Sequence, residues 1–250
     1  MKGIILAGGT GTRLYPLTKV TNKHLLPVGK EPMILNPVRQ ILSAGITDIL
    51  VITSKDHMGA VVQLLGSGVE YGCRFTFKVQ DTAGGIADAL LLAEGFVNDE
   101  KMVVILGDNI LTSSICPYVD AFSRQKEGAM VLLKAVGDPE RYGIAALDEK
   151  KKMILCIEEK PSQPKSCYAV IGVYLYNSDV FDVIRGCNVS SRGELEISSV
   201  NDWYVQKGLM RYEYYTGDWT DAGTFESLVY ANELLLSRDN KISEENLENK

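Results

Sequence analysis

The sequence predicts an α/β fold, and three observations support the prediction. Short apolar runs rich in β-branched residues alternate with helical patterns along the first half of the chain. Most of these runs are apolar on both faces, which is typical of strands buried in a parallel sheet. The first run, Gly3-Ile4-Ile5-Leu6, passes directly into a glycine-rich turn. We therefore predict a Rossmann-like, mostly parallel but mixed sheet that is flanked by helices.

The first half of the chain is predicted to supply the parallel part of the sheet. A proline near its first turn and a glycine just past its end support the first helix, because these residues favour helix starts and helix ends respectively. The predicted strands are Ile4 to Leu6, Ile49 to Thr53, Phe75 to Val79, Met102 to Leu106 and Met130 to Lys134. The predicted helices are Pro32 to Ser43, Asp56 to Leu65 and Ile86 to Glu94.

From about Gly143 the pattern changes to short strands separated by turn residues, which predicts a smaller β-rich portion laid over the sheet. The predicted elements are strands Ile144 to Leu147, Ile154 to Ile157 and Tyr168 to Tyr176, and helices Glu194 to Gln206 and Phe225 to Leu236. Because 250 residues can bury one substantial core, we expect a single domain over residues 1–237. Residues 238–250 are polar and are expected to form a frayed tail.

Composition and charge exclude several classes of protein. A net charge of −6 argues against general nucleic-acid binding, which requires a basic face. Two histidines are too few for a histidine-rich zinc cluster and leave little material for a serine–histidine triad. Five cysteines without Cys-x-x-Cys spacing indicate reduced thiols and a cytoplasmic protein. No segment resembles a signal peptide or has membrane-spanning length, so no membrane partner is expected.

The glycine-rich turn after the first strand is the most informative functional signal. Three glycines in the window Gly8 to Gly11 let backbone N–H groups approach a ligand, and Arg13 adds a guanidinium fork suited to phosphate oxygens. Since α/β proteins bind phosphates at such strand ends, we expect a nucleotide. A dinucleotide fingerprint would need glycine or alanine at Leu14, and a Walker loop would need lysine directly after its last glycine. Neither motif is present.

Two aspartates are predicted to meet at a metal ion. Asp108 follows the strand Met102 to Leu106, at the sheet edge where ligands bind. Taken alone, a Gly-Asp pair more often only opens a turn. Asp221 precedes a helical run, and Gly223 permits close approach of the backbone there. Two carboxylates at one site could hold Mg²⁺ between phosphates.

Along nearly its whole length the chain resembles the sugar-phosphate nucleotidylyltransferases, most closely their thymidylyl-transferring members. The matching segments are Gly8 to Leu14 with Pro16, Lys23 to Val28, Gln80 to Gly85, Gly107-Asp108-Asn109, Asp138 to Gly143, Glu158-Glu159-Lys160-Pro161, Arg192 to Ile197 and Trp219 to Thr224. The resemblance implies attack of an α-D-glucose 1-phosphate oxygen on the α-phosphorus of a nucleoside triphosphate, with release of pyrophosphate and no covalent enzyme intermediate. We expect the short form of the family, without the C-terminal regulatory extension of longer members.

The resemblance also implies roles for individual residues. Asp108 and Asp221 would hold Mg²⁺, and Gln80 would bind the edge of the base. The implied catalytic residues are Arg13, Lys23, Asp108 and Lys160. The implied nucleotide-binding residues are Leu6, Gly8, Gly9, Gly11, Thr12, Arg13, Gln80, Gly85 and Asp108. The implied sugar-phosphate-binding residues are Tyr142, Gly143, Glu159, Lys160 and Val170, although Tyr142 could equally serve in core packing.

Several alternatives stay open on the sequence alone. The expected nucleotide is dTTP, but UTP differs by one methyl group, which is worth only about 1–3 kcal/mol in a pocket. A protein of a different class, a sugar-nucleotide sensor without turnover, would be expected to lack at least one essential charged residue. All five of these are present: Arg13, Lys23, Asp108, Lys160 and Asp221. As is common in the family, the chain is expected to form homo-oligomers.

Overall fold

A mixed sheet of nine strands forms the centre of the molecule in the computed structural model, which describes the backbone of residues 1–248 and the side-chain surroundings of residues 1–237. The strands are β1 (Lys2–Ala7), β2 (Pro27–Val28), β3 (Glu31–Pro32), β4 (Asp48–Ser54), β5 (Arg74–Gln80), β6 (Met102–Leu106), β7 (Asn109–Leu111), β8 (Ala129–Ala135), β9 (Gly143–Asp148), β10 (Met153–Glu159), β11 (Tyr168–Tyr176), β12 (Met210–Tyr214) and β13 (Trp219–Asp221). The helices are α1 (Leu35–Ser43), α2 (Met58–Leu65), α3 (Ile86–Leu91), α4 (Glu94–Val97), α5 (Cys116–Arg124), α6 (Val180–Arg185), α7 (Ile197–Gln206) and α8 (Phe225–Glu248).

The main sheet has the order β10-β9-β11-β6-β1-β4-β5, and β8 joins it beside β11 with β12 on its other side. Strands β6, β1, β4 and β5 run parallel to one another, whereas β11 runs antiparallel to β6, β8 and β9. The α/β fold with a mostly parallel mixed sheet is confirmed. The β-rich second half extends the same sheet, because β11 pairs directly with β6.

Apolar side chains cover both faces of the sheet, as the strand sequences predict. One core cluster includes Ile5 and Val103, and the other includes Ile4 and Val104, so consecutive strand residues point to opposite faces. Helices cover both faces and remove these runs from water. A third, smaller cluster joins Leu14, Val28 and Ala231, and it ties the segment after the glycine turn to α8. The region that follows β1 is therefore packed on both sides.

Several predicted helix bounds are wrong, for reasons of local hydrogen bonding. The helix predicted from Pro32 begins at Leu35, because Glu31–Pro32 pairs with Pro27–Val28 as a small antiparallel ribbon. The helix predicted from Glu194 begins at Ile197, because Leu195 is held by backbone bonds to the segment before α3. The remaining differences are a start at Met58 instead of Asp56, a split of Ile86 to Glu94 into α3 and α4, and a last helix that continues past Leu236 to Glu248.

Seven elements of the structure were not predicted: β2, β3, β7, β12, β13, α5 and α6. The strand predicted at Met130 to Lys134 is present as β8. It pairs antiparallel with β11 instead of joining the parallel part of the sheet. Residues 238–248 are helical, and residues 249 and 250, the end of the predicted frayed tail, lie outside the described residues. The single-domain assignment stays a prediction. Within the described chain, no helix is both long and apolar enough to cross a membrane.

Candidate active site

A cavity of about 390 Å³ opens at the carboxyl ends of β1, β5 and β6 and continues over β9, β10 and β11. It brings together fourteen of the sixteen residues that the sequence nominated for the site: Leu6, Gly8, Gly9, Arg13, Lys23, Gln80, Gly85, Asp108, Tyr142, Gly143, Glu159, Lys160, Val170 and Asp221. Gly11 and Thr12 are nominated residues that do not line it. Their roles, like those of the other nominated residues, stay predictions.

Within the glycine turn, close contacts leave no room for a side chain at Gly8 or Gly11. A Cβ atom at Gly8 would lie 2.8 Å from Oε1 of Gln80. Gly11 has a φ of +64°, and its carbonyl accepts a hydrogen bond of 2.9 Å from Oγ1 of Thr18. Gly11 therefore sets the direction of the chain instead of lining the cavity. The short helical turn that follows exposes Arg13 and buries Leu14.

Asp108 lies just past β6, is 9% exposed, and has a partner at each carboxylate oxygen. Lys23 Nζ donates to Oδ2 at 2.5 Å, and Asn109 Nδ2 donates to Oδ1 at 3.1 Å. Burial alone would raise the pKa of Asp108, but the charge of Lys23 and the two hydrogen bonds outweigh it and hold the pKa below its ordinary value. Asp108 is therefore an anion in the metal-free chain.

Asp221 ends β13, where it pairs in register with Asn109 of β7. Tyr142 donates its hydroxyl to Oδ1 of Asp221 at 3.3 Å, and Arg141 Nη2 lies 3.4 Å from the same oxygen. Burial and the nearby charge of Asp108 raise the pKa of Asp221 to about 6, against the opposing effect of Arg141 and Arg13. The two carboxylates, 113 residues apart in sequence (221 minus 108), therefore feel each other's charge.

The donor set fits a magnesium ion. Oδ2 of Asp221 has no hydrogen bond or ion pair within the part of the chain that the structure describes. A Cβ atom at Gly223 would lie 3.2 Å from this oxygen and 2.8 Å from Nη2 of Arg13, so the glycine keeps this space open. Mg²⁺ is held through one or two carboxylates together with water and substrate phosphates. Among the described residues no group of three or more metal-ligating side chains exists.

Asn109 links the two halves of the site, and the sequence analysis did not assign it a role. Its Oδ1 accepts hydrogen bonds from the Gly172 N–H of β11 at 3.0 Å and from Trp219 Nε1 of β13 at 2.6 Å. Its Nδ2 donates to Asp108. A Cβ atom at Gly172 would lie 2.5 Å from Nδ2 of Asn109, so β11 approaches this side chain closely. The only sequence signal was its position directly after Asp108.

Arg141 and His24 are two further cavity residues to which no role was assigned. Arg141 bridges Asp138, at 2.7 Å, and Asp221, and the motif Asp138 to Gly143 was its only sequence signal. His24 is 1% exposed, and its Nδ1 lies 2.6 Å from Oδ1 of Asn22. Burial, reinforced by the charge of Lys23, lowers the pKa of His24 to about 3, so the ring is neutral near pH 7.

The Gln80 side chain uses half of its hydrogen-bonding capacity within the protein. Nε2 donates to Oδ2 of Asp88 at 2.8 Å and to the Gly85 carbonyl at 3.3 Å. This leaves Oε1, beside Gly8, to accept from a ligand. Gly85 has a φ of +104°, and a Cβ atom there would lie 2.5 Å from the carbonyl oxygen of Leu195. Both residues therefore border one end of the cavity in fixed positions.

The opposite end of the cavity is formed by paired strands. Gly143 of β9 lies opposite Glu159 of β10, and a Cβ atom at Gly143 would lie 3.3 Å from Oε2 of Glu159. Ser198 donates to that same oxygen at 2.9 Å. The next residue, Lys160, has a φ of +44°, and its Nζ lies 3.8 Å from Oε1 of Glu159. A carboxylate and an ammonium group thus stand side by side, with Lys160 half exposed.

Tyr142 lies between the two ends of the cavity. Its hydroxyl contacts Asp221, and its ring lies 5.2 Å from the ring of Trp219. Burial raises the pKa of Tyr142, so it stays protonated and acts as a donor. The hydroxyl of Tyr142 therefore contacts Asp221, which the sequence predicts to be a metal ligand. Its nominated place in sugar binding stays a prediction.

The glycine turn, the basic residues and the two carboxylates meet at one cavity on a Rossmann-like sheet, an arrangement that suits a nucleotide phosphate. Comparisons with known proteins agree. A family model described as nucleotidyl transferase matches residues 2–238. The glucose-1-phosphate thymidylyltransferase of Neisseria gonorrhoeae is 42% identical over 231 residues, covering 91% of this chain and 80% of that protein. The enzyme of the same name from Mycolicibacterium smegmatis is 38% identical, covering 94% of this chain and 82% of that protein.

Solved structures give the same result. A Bacillus anthracis protein assigned as a glucose-1-phosphate thymidylyltransferase, crystallised with sucrose, superimposes with a TM-score of 0.91 at 58% identity, covering 94% of this chain and 95% of that one. A UDP-glucose pyrophosphorylase complexed with UDP-glucose superimposes with a TM-score of 0.84 at 22% identity, covering 95% of this chain and 98% of that one, which indicates a shared fold. The chain belongs to the nucleotidyl transferase family, among the sugar-phosphate nucleotidylyltransferases, and is an enzyme.

Proposed function

We propose that the protein transfers a thymidylyl group from dTTP to α-D-glucose 1-phosphate in a Mg²⁺-dependent reaction that yields dTDP-glucose and pyrophosphate. One observation carries the proposal: Asp108 and Asp221 line the same cavity as the basic residues Arg13 and Lys23. This arrangement suits two mutually repelling anions that must be brought together. The high identity to glucose-1-phosphate thymidylyltransferases supports the choice of substrates.

The proposed chemistry is a single in-line displacement. An oxygen of the sugar phosphate forms a bond to the α-phosphorus, and the bond from that phosphorus to the oxygen bridging to the β-phosphate breaks. Pyrophosphate leaves with that electron pair. The attacking phosphate is already anionic near neutral pH, so no general base is needed and the protein supplies alignment and charge neutralisation. His24 would be a poor general base, because burial lowers its pKa to about 3.

Each set of cavity residues would act on one part of the substrates. Arg13 and Lys23 would bind the reacting phosphate and the departing pyrophosphate, and a guanidinium can grip two oxygens at once. When bound between Asp108 and Asp221, Mg²⁺ would neutralise phosphate charge and align phosphate oxygens. Lys160 would bind the sugar phosphate. The nominated residues Leu6, Gly8, Gly9, Gly11 and Thr12 would form the nucleotide side, with Gly143, Glu159, Val170 and Tyr142 on the sugar side.

Base recognition is proposed for Gln80 and Gly85. Because Nε2 of Gln80 is engaged by Asp88, Oε1 is the atom that would accept a hydrogen bond from N3–H of a pyrimidine. The donor to a carbonyl oxygen of the base would then be the backbone N–H of Gly85. Thymine and uracil both carry this N3–H and this carbonyl oxygen, so UTP is the second candidate nucleotide.

A pyrophosphate-release assay tests the proposal directly. It crosses dTTP, UTP, ATP, CTP and GTP with several sugar 1-phosphates, in the presence of Mg²⁺. We expect the highest kcat/KM for dTTP with glucose 1-phosphate. A preference for UTP would favour the uridylyltransferase alternative. Binding of sugar nucleotide without pyrophosphate release from any pair would contradict the proposal and favour a sensor. We also propose a cytoplasmic location and a homo-oligomer, the latter checked by light scattering.

A further inference from the structure

The two carboxylates nominated for the metal are each held by a cation of the chain itself. Lys23 Nζ and Asp108 Oδ2 are 2.5 Å apart, and their side chains are 14% and 12% exposed. Arg141 Nη2 and Asp221 Oδ1 are 3.4 Å apart, and their side chains are 33% and 17% exposed. Both pairs are therefore largely shielded from water, and screening by salt is weak there.

A bare dication would have to compete with these internal cations. Entry of a metal ion at Asp108 would place a dication beside the Lys23 ammonium group, and entry at Asp221 would do the same beside Arg141. Like charges at such distances repel strongly in a partly buried site. A triphosphate changes the balance, because its oxygens offer Lys23 a new partner and supply further ligands to the metal. Lys23 lines the same cavity as the glycine turn.

Arg141 can release Asp221 and still remain in the site. Its Nη1 binds Asp138 at 2.7 Å while its Nη2 faces Asp221 at the longer 3.4 Å. The guanidinium can therefore release Asp221 and stay anchored on Asp138. A lysine at this position could not bridge both carboxylates with the same fork geometry.

We propose that Lys23 and Arg141 are internal counter-ions of the metal site, so that the divalent ion binds together with the nucleotide and not before it. The proposal rests on the proposed function, because it takes Asp108 and Asp221 as the metal ligands. In the metal-free chain the two cations keep the carboxylates in place. On binding, the phosphates draw Lys23 away from Asp108, and Arg141 releases Asp221 while it keeps its contact with Asp138.

The test measures binding of Mn²⁺ as a probe for Mg²⁺, without sugar phosphate, so that no turnover is needed. Free Mn²⁺ is followed by electron paramagnetic resonance in titrations of wild type, Arg141→Gln and Lys23→Met. Arg185→Gln is the matched control, since Arg185 is an exposed ion-pair residue that does not line the cavity. We expect both site variants to bind Mn²⁺ about ten-fold more tightly than wild type, the scale at which one neighbouring charge alters ionisation. The control is expected to match wild type.

A second measurement compares dTTP binding with and without the metal in wild type and in Arg141→Gln. Calorimetric titration with dTTP is performed with Mn²⁺ and, separately, with EDTA. We expect Mn²⁺ to tighten dTTP binding at least ten-fold in wild type and by a smaller factor in Arg141→Gln. By linkage, the factor by which Mn²⁺ tightens dTTP binding equals the factor by which dTTP tightens Mn²⁺ binding. Equal Mn²⁺ affinity of wild type and Arg141→Gln, with dTTP still bound, would overturn the counter-ion proposal. If the variants bind Mn²⁺ more tightly but no protein binds dTTP, the counter-ion proposal is supported and the proposed nucleotide substrate is contradicted.

Discussion

Replacing Asn109 with alanine removes the side chain that joins β7, β11 and β13 around the two carboxylates. Asn109 is 2% exposed, so water cannot take its place easily. The change leaves two buried donors, the Gly172 N–H and Trp219 Nε1–H, without their acceptor, and it removes one donor from Asp108. A buried polar group without a partner costs about 1–3 kcal/mol. We expect the free energy of unfolding to fall by about 3–5 kcal/mol.

The same variant should weaken metal binding, which a purely structural contact would not require. Without Asn109, Asp108 keeps only Lys23 as a fixed partner, and its carboxylate can turn away from Asp221. Urea unfolding measures the stability, and Mn²⁺ titration in the presence of dTTP measures the site. Asn177→Ala is the matched control, because it removes one hydrogen bond, to the Gly128 carbonyl, at a residue that does not line the cavity. An Asn109→Ala protein that keeps wild-type stability and Mn²⁺ affinity would refute this reasoning.

Four further predictions follow from the contacts in the cavity. Asp108→Asn should fold but lose at least 100-fold in kcat, since a neutral amide is a poorer magnesium ligand; pyrophosphate release measures this. Gln80→Ala should raise the KM for dTTP about ten-fold and loosen base choice, as expected for one lost hydrogen bond. Gly223→Ala should lower kcat about ten-fold because its Cβ would lie 2.8 Å from Nη2 of Arg13. In EDTA, the unfolding free energy of wild type relative to Asp221→Asn should fall by about 2 kcal/mol between pH 4 and pH 7.

The sign of the pH effect follows from the raised pKa of Asp221. Between its ordinary value of 3.8 and about 6, the folded chain holds a proton that the unfolded chain has lost. Raising the pH through this window therefore favours unfolding. A difference in unfolding free energy between wild type and Asp221→Asn that does not change with pH would contradict the prediction.

An unchanged base profile in Gln80→Ala would remove Gln80 from base recognition. Its control is Gln206→Ala, at a residue that does not line the cavity. Gly95→Ala is the control for Gly223→Ala, since a Cβ there meets nothing within 4 Å.

Sequence patterns predicted the parallel strands well, because buried runs such as Met102–Leu106 carry their own signal of apolar, β-branched residues. They failed at short elements whose existence depends on distant partners. Strand β13 is three residues long, and each of its residues pairs with a residue of β7, more than 100 positions earlier in the chain. The late start of α7 likewise depends on bonds between Leu195 and Gly84 that no local pattern reveals.

The candidate site was predictable where motifs named its residues, and the cavity gathers most of them. Hydrogen-bond partners were not predictable in the same way. That Arg141 and Tyr142 contact Asp221 follows from how the turn before β9 meets β13 in space, not from their spacing in sequence. The neutral state of His24 likewise depends on complete burial, which depends on how the segments around it pack.

The most direct test is a crystal structure of the protein with Mn²⁺ and dTTP, in which the anomalous signal of manganese locates the ion. We predict one manganese peak bonded to oxygen atoms of both Asp108 and Asp221 and to the triphosphate, with Lys23 moved from Asp108 to a phosphate. A manganese ion held by the phosphates alone, or two carboxylates that point to different regions with no ion between them, would contradict the account.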